Sequence, residues 1–289
     1  MIRGALEEMG ASFLFLNHAD LLDTHVELEY SPGVTGVLEF HGREYRVEHF
    51  RAIYVRPHDF RDLSEFADLD CESSEWRHAR ELQNILWSFV DIVDALVLNR
   101  PSAMLSNGSK PYQLRLIEEQ GFAVPETLIT TDATAVRSFR AEHGEVVYKS
   151  ISGTRSIVNR LTDEHDARMD DLRWCPTQFQ RYVEGVDYRV HVVGSRLFAS
   201  RVLSDGVDYR YAPSSIEACE LPDVVAERCL ELSRALDLPL AGIDLRRAPD
   251  GQWFCFEVNP APGYSSYEEI TGQRISAAIA NVLVEHDRG

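Results

Sequence analysis

The sequence contains almost no lysine. Only two of its 29 basic residues are lysines, Lys110 and Lys149, and all the others are arginines. Arginine can replace lysine over most of a protein surface, but a broad planar guanidinium does not suit every position that a compact ammonium ion can occupy. The two lysines are therefore the first candidates for functional positions.

Long apolar segments and paired cysteines are also missing. No apolar run approaches the roughly 20 residues of a membrane-spanning helix, and the N-terminal segment carries acids where a signal peptide carries bases. The five cysteines are scattered, odd in number and without a C-x-x-C pair, which argues against a disulfide framework or a structural zinc site. We expect a cytoplasmic protein.

Several functional signatures are absent as well. The phosphate-binding motif G-x-x-x-x-G-K-[ST] occurs nowhere, and the ten histidines show no H-E-x-x-H or other metal-binding spacing. The net charge of -18 argues against non-specific binding to nucleic acid or to an anionic membrane, although it does not exclude a local basic cleft.

The first hundred residues predict an α/β layer. Apolar residues at helical spacing predict a short helix that ends at Gly10 and a long amphipathic helix over 73–96. Short apolar or weakly alternating runs predict strands at 11–17, 25–30, 34–40, 51–57 and 96–101. The second and third of these strands form a predicted hairpin.

The remainder predicts two further α+β units. Helices are predicted at 109–120, 132–144, 222–236 and 271–285. Strands are predicted at 125–130, 145–151, 156–161, 177–183, 187–194, 196–203, 241–247 and 252–259. We divide the chain into an N-terminal domain (1–104), a central lobe (105–178) and a C-terminal lobe (179–289).

The last two predicted strands carry the strongest chemical signal. Glu257 and Asn259 lie two residues apart and share a face, and a hairpin turn at 249–251 brings Asp244 alongside them. Two carboxylates and an amide oxygen suit Mg²⁺, which usually combines a few protein oxygens with nucleotide phosphates. The alternative is a sheet edge with polar residues turned to water, but the apolar neighbours in FCFEVN show no simple alternation.

Lys149 stands on a predicted strand that leads into a loop of small residues. Such a loop, with Ser152 and Gly153, can place an ammonium ion and backbone N–H groups around phosphates. Taken alone this is a weak signal, because an ordinary surface hairpin explains it equally well. Three arginines on or near the following strands suit phosphate or carboxylate groups, although each is also compatible with a solvated surface arginine; they are Arg189, Arg201 and Arg210.

Taken in order, these segments resemble the ATP-grasp superfamily, and specifically its RimK-type branch of peptide and amino-acid ligases. The resemblance rests on Lys110, on Lys149 with its loop, and on QFQRYVEG (178–185), DYR (187–189), GIDL (242–245) and EVNPAPG (257–263). Other segments are similar to the graspetide synthetases, which form ester or amide crosslinks in ribosomally made peptides: YVRP (54–57), LNRP (98–101), SKPYQL (109–114), VPETLIT (124–130) and SDGVDYR (204–210). The resemblance spans about residues 50–285.

The resemblance implies an ATP-grasp fold with a preceding N-terminal α/β domain and with ATP between the central and C-terminal lobes. It implies that Lys110 and Lys149 contact the phosphates and that Glu184 or Asp187 lies near the ribose. Arg189 and Arg201 would face the phosphates or an acyl phosphate, and Arg210 a substrate carboxylate. The backbone at the adenine edge would come from Gln180, Arg181, Tyr182 and Val183, and two Mg²⁺ ions would be held by Asp244, Glu257 and Asn259.

The implied reaction is ATP-dependent ligation of a carboxylate to an amine through an acyl phosphate. Phosphoryl transfer relies mainly on positioning and electrostatics, so no Ser-His-Asp set is required. Two alternatives stay open, an ATP-binding regulatory module without turnover and a phosphotransferase that stops at a phosphorylated product. The substrate would be a small molecule or a peptide, and a homodimer is the common assembly of such enzymes.

Overall fold

The computed structural model describes residues 1–56, 58–151, 157–204 and 214–286. The α-helices are α1 (Ile2–Glu8), α2 (Ser74–Ile92), α3 (Pro101–Met104), α4 (Lys110–Glu119), α5 (Ala133–His143), α6 (Asp223–Ala235), α7 (Ser265–Thr271) and α8 (Ile275–Glu285). The strands of the first two units are β1 (Thr24–Glu29), β2 (Thr35–Phe40), β3 (Arg43–Arg46), β4 (Ala52–Tyr54), β5 (Leu96–Leu98), β6 (Thr127–Thr130), β7 (Val146–Ser150), β8 (Asn159–Arg160) and β9 (Thr177–Arg181). Those of the last unit are β10 (Val186–Val193), β11 (Arg196–Ser204), β12 (Ser214–Cys219), β13 (Leu240–Arg247) and β14 (Trp253–Asn259).

The N-terminal unit combines an antiparallel sheet, β1-β2-β3, with the parallel pair β4–β5. The long helix α2 begins at Ser73, whose side chain accepts a hydrogen bond from the Trp76 backbone N–H. Its apolar stripe packs into two cores: Leu82 lies with Leu21, Phe60 and Phe66, and Phe89 lies in the core that both sheets share. The predicted hairpin is confirmed, because β1 pairs with β2 from Thr24↔Phe40 to Glu29↔Thr35.

The predicted strand over 11–17 is wrong, since the structure assigns no strand there. Leu14 packs against the N-terminal core, while Phe13 and Phe15 are exposed. An apolar run forms a strand only if a partner strand lies in register with it, and sequence alone cannot supply that information. The sequence also missed β3, whose residues REYR are mostly polar.

The central unit is the antiparallel sheet β6-β9-β7-β8, covered on one face by α5. Asp132 caps α5 by accepting a hydrogen bond from the Thr134 backbone N–H, as its position before the helical pattern indicates. Gly144 ends the helix with a φ of 75°, a conformation that glycine adopts readily. One face of this sheet therefore packs into the core with α5, and α5 does not cover the opposite face.

The C-terminal unit is a five-stranded antiparallel sheet of order β12-β11-β10-β13-β14. One face packs against α6, and this core includes Val190, Leu232 and Ile243. Part of the opposite face packs against α7 and α8. The helix predicted at 271–285 is α8, which begins at Ile275, and the sequence analysis did not indicate α7, which ends at Gly272 where φ is 70°.

Asn99 and α1 both tie the N-terminal unit to the C-terminal sheet. The buried Asn99 side chain, directly after β5, donates from Nδ2 to the Leu240 and Pro260 carbonyls at 2.6 Å each. Its Oδ1 accepts from the Leu240 backbone N–H at 3.0 Å. Ile2 of α1 also packs into the core beneath α8. The first hundred residues are therefore joined to the last strands rather than attached as a separate body.

Two expectations about helices and cysteines can be compared with the structure. All five cysteines are free thiols, as their scattered positions indicate. No helix in the described ranges is both long and apolar enough to cross a membrane.

The helix α4, which the sequence division places in the central lobe, buries Ile117 in the core of the C-terminal sheet.

Candidate functional site

The register of β13 and β14 brings the three expected oxygen ligands together. Asp244 is directly opposite Glu257, and Gly242 is directly opposite Asn259. Directly opposed residues in an antiparallel pair share a face and have neighbouring side chains. We call this face of the five-stranded sheet the inner face, and the face packed against α6 the outer face.

Each carboxylate on the inner face is paired with a buried cation. The Lys110 ammonium donates to Glu257 Oε1 at 3.2 Å, and Arg189 Nη1 donates to Asp244 Oδ1 at 2.7 Å. Both cationic side chains are 8% exposed, and both carboxylates are 25% exposed. Buried ion pairs contribute little net stability because desolvation offsets their attraction. Two such pairs side by side therefore favour a functional role over a purely structural one.

Gly242 makes room for the Arg189 guanidinium. A Cβ at this position would lie 2.2 Å from Arg189 Nη2 and 2.6 Å from the Pro262 Cβ. Because Arg189 on β10 is directly opposite Asp244 on β13, the guanidinium must lie across the sheet over the neighbouring residue. Only glycine permits this, a requirement that the sequence analysis missed although GIDL was noted as a motif.

Lys110 is held over Glu257 by its own helix. Gln113, one turn further along α4, donates from Nε2 to the Val258 carbonyl at 2.8 Å and accepts from the Val258 N–H at 2.9 Å. This two-way pairing fixes the N-terminal end of α4 against β14. The sequence analysis missed Gln113, but its i+3 spacing from Lys110 places both on one helix face and could have indicated it.

Lys149 lies on the central sheet, directly opposite Gln178. Both side chains are buried, at 7% and 1% exposure, on the face away from Tyr148 and Phe179, which belong to the α5 core. Within the described parts of the chain, Gln178 Oε1 has no hydrogen-bond partner. Buried lysine and amide groups on the face that α5 does not cover are consistent with a ligand-binding surface. Ser152, Gly153 and Arg210 lie outside the described residues.

A cavity of about 370 Å³ lies where the central and C-terminal units join. It is lined by Arg181, Tyr182, Val183, Glu184, Ala248, Pro249, Asp250, Gln252 and Phe254. The backbone segment expected at the adenine edge therefore does border a space. Gln180 does not line this cavity, and its Nε2 donates to Thr127 Oγ1 at 3.0 Å.

The structure separates the two residues expected near the ribose. Arg246 donates to both Asp187 oxygens, at 2.7 and 2.8 Å, and to the Val183 carbonyl at 2.7 Å. The Asp187 carboxylate is thereby committed to the guanidinium, whereas Glu184 lines the cavity. Asp187 thus orders the junction between the two units, and Glu184 is the better placed of the two for a ligand.

Arg201 is not brought to the site. Tyr188 is directly opposite Arg201 and Arg189 is directly opposite Ser200, so Arg201 projects from the outer face. Its guanidinium pairs with Glu217 at 2.7 Å, and both side chains are roughly half exposed. The expectation that Arg201 faces the same ligand as Arg189 is overturned, because a strand alternates its side chains between the two faces.

His191 lies on the inner face, directly opposite Gly242, with 0% exposure. Burial and, secondly, the neighbouring Arg189 charge lower its pKa from 6.5 to about 3, so the imidazole is neutral at physiological pH. Its Nε2 interacts with the Gly263 carbonyl at 3.1 Å, and its ring contacts Tyr267. The ring therefore supports the backbone just beyond Asn259, a role that the histidine spacing in the sequence did not indicate.

The inner-face residues fit a magnesium ion in their donor chemistry. Two carboxylates and an amide oxygen are hard ligands of the kind that Mg²⁺ prefers. Asn259 Oδ1 accepts a hydrogen bond from the Ala261 N–H at 2.9 Å, which orients the amide and leaves its oxygen a second lone pair. Across the described ranges no group of three or more His, Cys, Asp or Glu side chains has metal-binding geometry.

The chain is similar to several known proteins. No protein-family model matches the chain. A probable alpha-L-glutamate ligase of Pasteurella multocida (strain Pm70) is 26% identical over 188 residues, which cover 61% of this chain and 60% of that protein. A protein of the same description from Xanthomonas oryzae pv. oryzae (strain MAFF 311018) is 28% identical over 150 residues, 50% of this chain and 48% of that protein. The chain thus spans about half to three fifths of the length of these curated relatives.

Solved structures match over nearly the whole chain. The ATP-grasp ligase PsnB with minimal precursor, Mg and ADP has a TM-score of 0.81 at 25% identity, covering 99% of this chain and 92% of that one. A Chryseobacterium gregarium RiPP-associated ATP-grasp ligase with ADP and a leader and core peptide has a TM-score of 0.84 at 22% identity, covering 98% and 92%. The macrocyclase MdnC of Microcystis aeruginosa MRC, bound to precursor peptide MdnA, has a TM-score of 0.83 at 21% identity, covering 98% and 94%. The expected ATP-grasp fold, and the resemblance to both RimK-type and peptide-modifying ligases, are confirmed.

Proposed function

We propose that this protein is an ATP- and magnesium-dependent ligase that activates a carboxylate as an acyl phosphate and couples it to an amine. One observation carries the proposal. Asp244 and Glu257 stand directly opposite each other, with Asn259 on the same face, and each carboxylate is paired with a buried cation. This arrangement places oxygen ligands and positive charge side by side, which phosphoryl transfer requires.

The chain's own residues divide the work of the first step. Asp244, Glu257 and Asn259 would hold Mg²⁺, which supplies neutralisation of phosphate charge when bound. Lys110 and Arg189 stabilise negative charge on the transferred phosphoryl group. A carboxylate oxygen of the substrate attacks the γ-phosphorus, the bond to the bridging oxygen breaks, and ADP leaves.

The second step needs positioning more than acid–base chemistry. The amine attacks the carbonyl carbon of the acyl phosphate, inorganic phosphate departs with the C–O electron pair, and the proton that the amine loses passes to the departing phosphate. Exclusion of water from the site protects the acyl phosphate from hydrolysis. The Lys110 and Arg189 side chains are each only 8% exposed, which supports such exclusion.

We assign the nucleotide to the space between the central and C-terminal units. The backbone of Arg181–Val183 at the cavity would meet the adenine, and Glu184 is the proposed ribose contact. Lys149, with Ser152 and Gly153 beyond it, would contact phosphates, and Arg210 a substrate carboxylate. The buried Lys149 on the face away from the α5 core supports this assignment.

We further propose that the substrate is a peptide. Three similar structures contain precursor or core peptides, and they match this chain from end to end, including its N-terminal unit. A homodimer in the cytoplasm remains our expectation for assembly and location.

The deciding experiment measures nucleotide binding and turnover together. Calorimetry with ADP should show binding that depends on Mg²⁺ and weakens when Lys149 is replaced by Met. Incubation with ATP, Mg²⁺ and a panel of amino acids and acidic peptides should release ADP, and mass spectrometry should detect a condensed product that has lost one water.

Two other outcomes would replace the proposal. MgATP binding with no ADP release from any acid and amine pair would indicate a regulatory module. A stable phosphorylated product without a coupled nucleophile would indicate a phosphotransferase. Complete indifference to MgATP would remove the nucleotide site itself.

A further inference from the structure

Arg56 stands at the point where the N-terminal unit meets the inner-face site. It follows β4 by two residues, and Asn99 follows the parallel strand β5 by one, so both lie at the same carboxyl edge of that strand pair. In open α/β sheets this edge is where ligands bind. Arg56 Nη1 donates to the Pro262 carbonyl at 2.9 Å, and Pro262 belongs to the segment that follows Asn259.

Two guanidinium groups therefore approach Pro262 from different units. The Pro262 ring and Arg189 Nη2 both lie against the vacant Cβ position of Gly242, at 2.6 and 2.2 Å. Arg56 reaches the same proline through its carbonyl oxygen. Arg56 is thus close to the proposed phosphoryl-transfer site, on the side formed by the N-terminal unit.

A carboxylate balances the positive charge of Arg189, whereas none among the described residues balances that of Arg56. Arg189 faces Asp244, whereas Arg56 is exposed and forms no ion pair with any carboxylate in the parts of the chain that the structure describes. One nitrogen, Nη1, is engaged by a carbonyl. The Nε and Nη2 donors make up the other edge of the guanidinium fork, which has the geometry for a bidentate carboxylate contact.

Two tyrosine side chains, those of Tyr54 and Tyr264, lie close to the Arg56 guanidinium. The Tyr54 hydroxyl lies near Arg56 and Tyr264, yet it makes no hydrogen bond of good geometry among the described residues. Burial raises the pKa of both Tyr54 and Tyr264, so both hydroxyls remain protonated donors at neutral pH. Tyr54 is thus a buried hydroxyl whose contacts with Arg56 and Tyr264 fall short of good hydrogen-bond geometry, which costs free energy. An anion bound at Arg56 would accept a hydrogen bond from this hydroxyl.

We propose that Arg56, supported by Tyr54, is a substrate-binding residue that docks the substrate carboxylate from the N-terminal side of the site. The inference rests on the proposed ligase function and specifies how its acidic substrate is recognised. The same chemistry serves a side-chain carboxylate or a chain-terminal one. The sheet edge at Arg56 would thus set selectivity for acids, while the inner face carries out phosphoryl transfer.

The test is direct binding of three peptides to the full chain in the presence of MgADP, measured by calorimetry. The first peptide is N-acetylated and C-amidated with one internal glutamate, the second replaces that glutamate by glutamine, and the third has a free C-terminal carboxylate and no acidic side chain. The proteins are wild type, Arg56→Gln, Arg56→Lys and Tyr54→Phe. Arg80→Gln, an exposed arginine on α2 that is 47% accessible, is the matched control.

We expect at least one carboxylate peptide to bind wild type and the glutamine peptide not to bind. Arg56→Gln should weaken that binding at least tenfold, Arg56→Lys less, and Arg80→Gln not at all. Tyr54→Phe should weaken it a few-fold without lowering the melting temperature, because it removes a hydroxyl that lacks a good partner. A merely structural Tyr54 would lower the melting temperature instead.

The outcomes separate this inference from the proposed function. Equal binding of a carboxylate peptide by wild type and Arg56→Gln would overturn the inference, and so would wild type that binds MgADP but neither carboxylate peptide. Which of the two carboxylate peptides binds identifies the source of the carboxylate. Unchanged MgADP affinity in each variant shows that it is folded, and failure of wild type to bind MgADP would contradict the ligase proposal itself.

Discussion

The inner and outer faces of the five-stranded sheet carry the same types of charged side chain in opposite circumstances. On the inner face Arg189 pairs with Asp244 where the guanidinium is 8% exposed, and on the outer face Arg201 pairs with Glu217 where it is 43% exposed. Both ion pairs measure 2.7 Å. The contact distance therefore does not distinguish the two ion pairs, which differ in how far their side chains are exposed to solvent.

That difference assigns different roles to the two pairs. Solvent screens an exposed pair, which typically contributes only about 0–1 kcal/mol. A buried pair interacts in a medium of lower effective dielectric constant, so its charges act more strongly on any ligand that arrives. The two faces thus provide an internal control for the charged residues, because Glu257 and Arg189 on the inner face have outer-face counterparts in Glu217 and Arg201.

The largest expected effect comes from the carboxylates. Glu257→Gln keeps the size of the side chain but removes its charge beside Lys110, and we expect ADP-forming turnover to fall at least about 100-fold. Glu217→Gln on the outer face should leave turnover within about twofold. Turnover is measured over a range of Mg²⁺ concentrations. Comparable losses in the two variants would remove the distinction between the faces.

The two arginines give the next contrast. Arg189→Lys loses the planar fork that spans Gly242 to reach Asp244, and we expect turnover to fall about 10- to 100-fold. Arg201→Lys should change turnover and melting temperature little, because its pair with Glu217 is exposed. Steady-state kinetics with MgATP provide the measurement. If Arg201→Lys were the more damaging variant, our assignment of the faces would be reversed.

Gly242→Ala tests the space beneath Arg189 without altering any charge. The new Cβ would lie 2.2 Å from Arg189 Nη2, so the guanidinium must move, and we expect a loss of about 3 kcal/mol in unfolding free energy together with reduced turnover. Gly4→Ala, where a Cβ meets nothing within 4 Å, is the control and should be neutral or slightly stabilising. Urea denaturation measures the unfolding free energy of both variants, and steady-state kinetics measure their turnover. Gly242→Ala protein as stable and active as wild type would show that Arg189 is not confined there.

The smallest effect concerns His191 and acid. Its folded pKa of about 3 lies below the ordinary 6.5, so the unfolded chain binds the proton more readily and stability falls as pH drops below 6.5. We expect this residue to account for about 2 kcal/mol of lost stability between pH 7 and pH 5. His191→Gln should flatten the stability curve over that range, whereas the exposed His286→Gln should not. Parallel curves for wild type and His191→Gln would exclude a buried neutral imidazole.

Local sequence pattern predicted much of this molecule because most of its elements are defined by their own residues. The hairpin of Asp244 and Glu257 followed from a turn between two strands, and the two lysines followed from their rarity. The predictions that failed concern contacts with residues that are distant in the chain. Residues 11–17 have the composition of a strand but no strand pairs with them, and Arg201 lies on the expected strand but on the wrong face.

The residues that sequence analysis missed share one property. Gln113, Asn99 and Gly242 act on backbone or on empty space that belongs to another element. No local periodicity or composition signals such a contact. Only Gln113 had an available clue, its position one turn after Lys110.

The Asn99 side chain has a consequence for how this protein can be divided. If the chain were cut after the N-terminal unit, the Leu240 N–H and the Leu240 and Pro260 carbonyls would lose partners in a buried setting, at a cost of about 1–3 kcal/mol for each group left without one. A fragment that retains only the central and C-terminal units would therefore have buried backbone groups without hydrogen-bond partners in β13, the strand that bears Asp244. Replacing the first hundred residues with a foreign recognition domain would therefore require an amide at the same place in the graft.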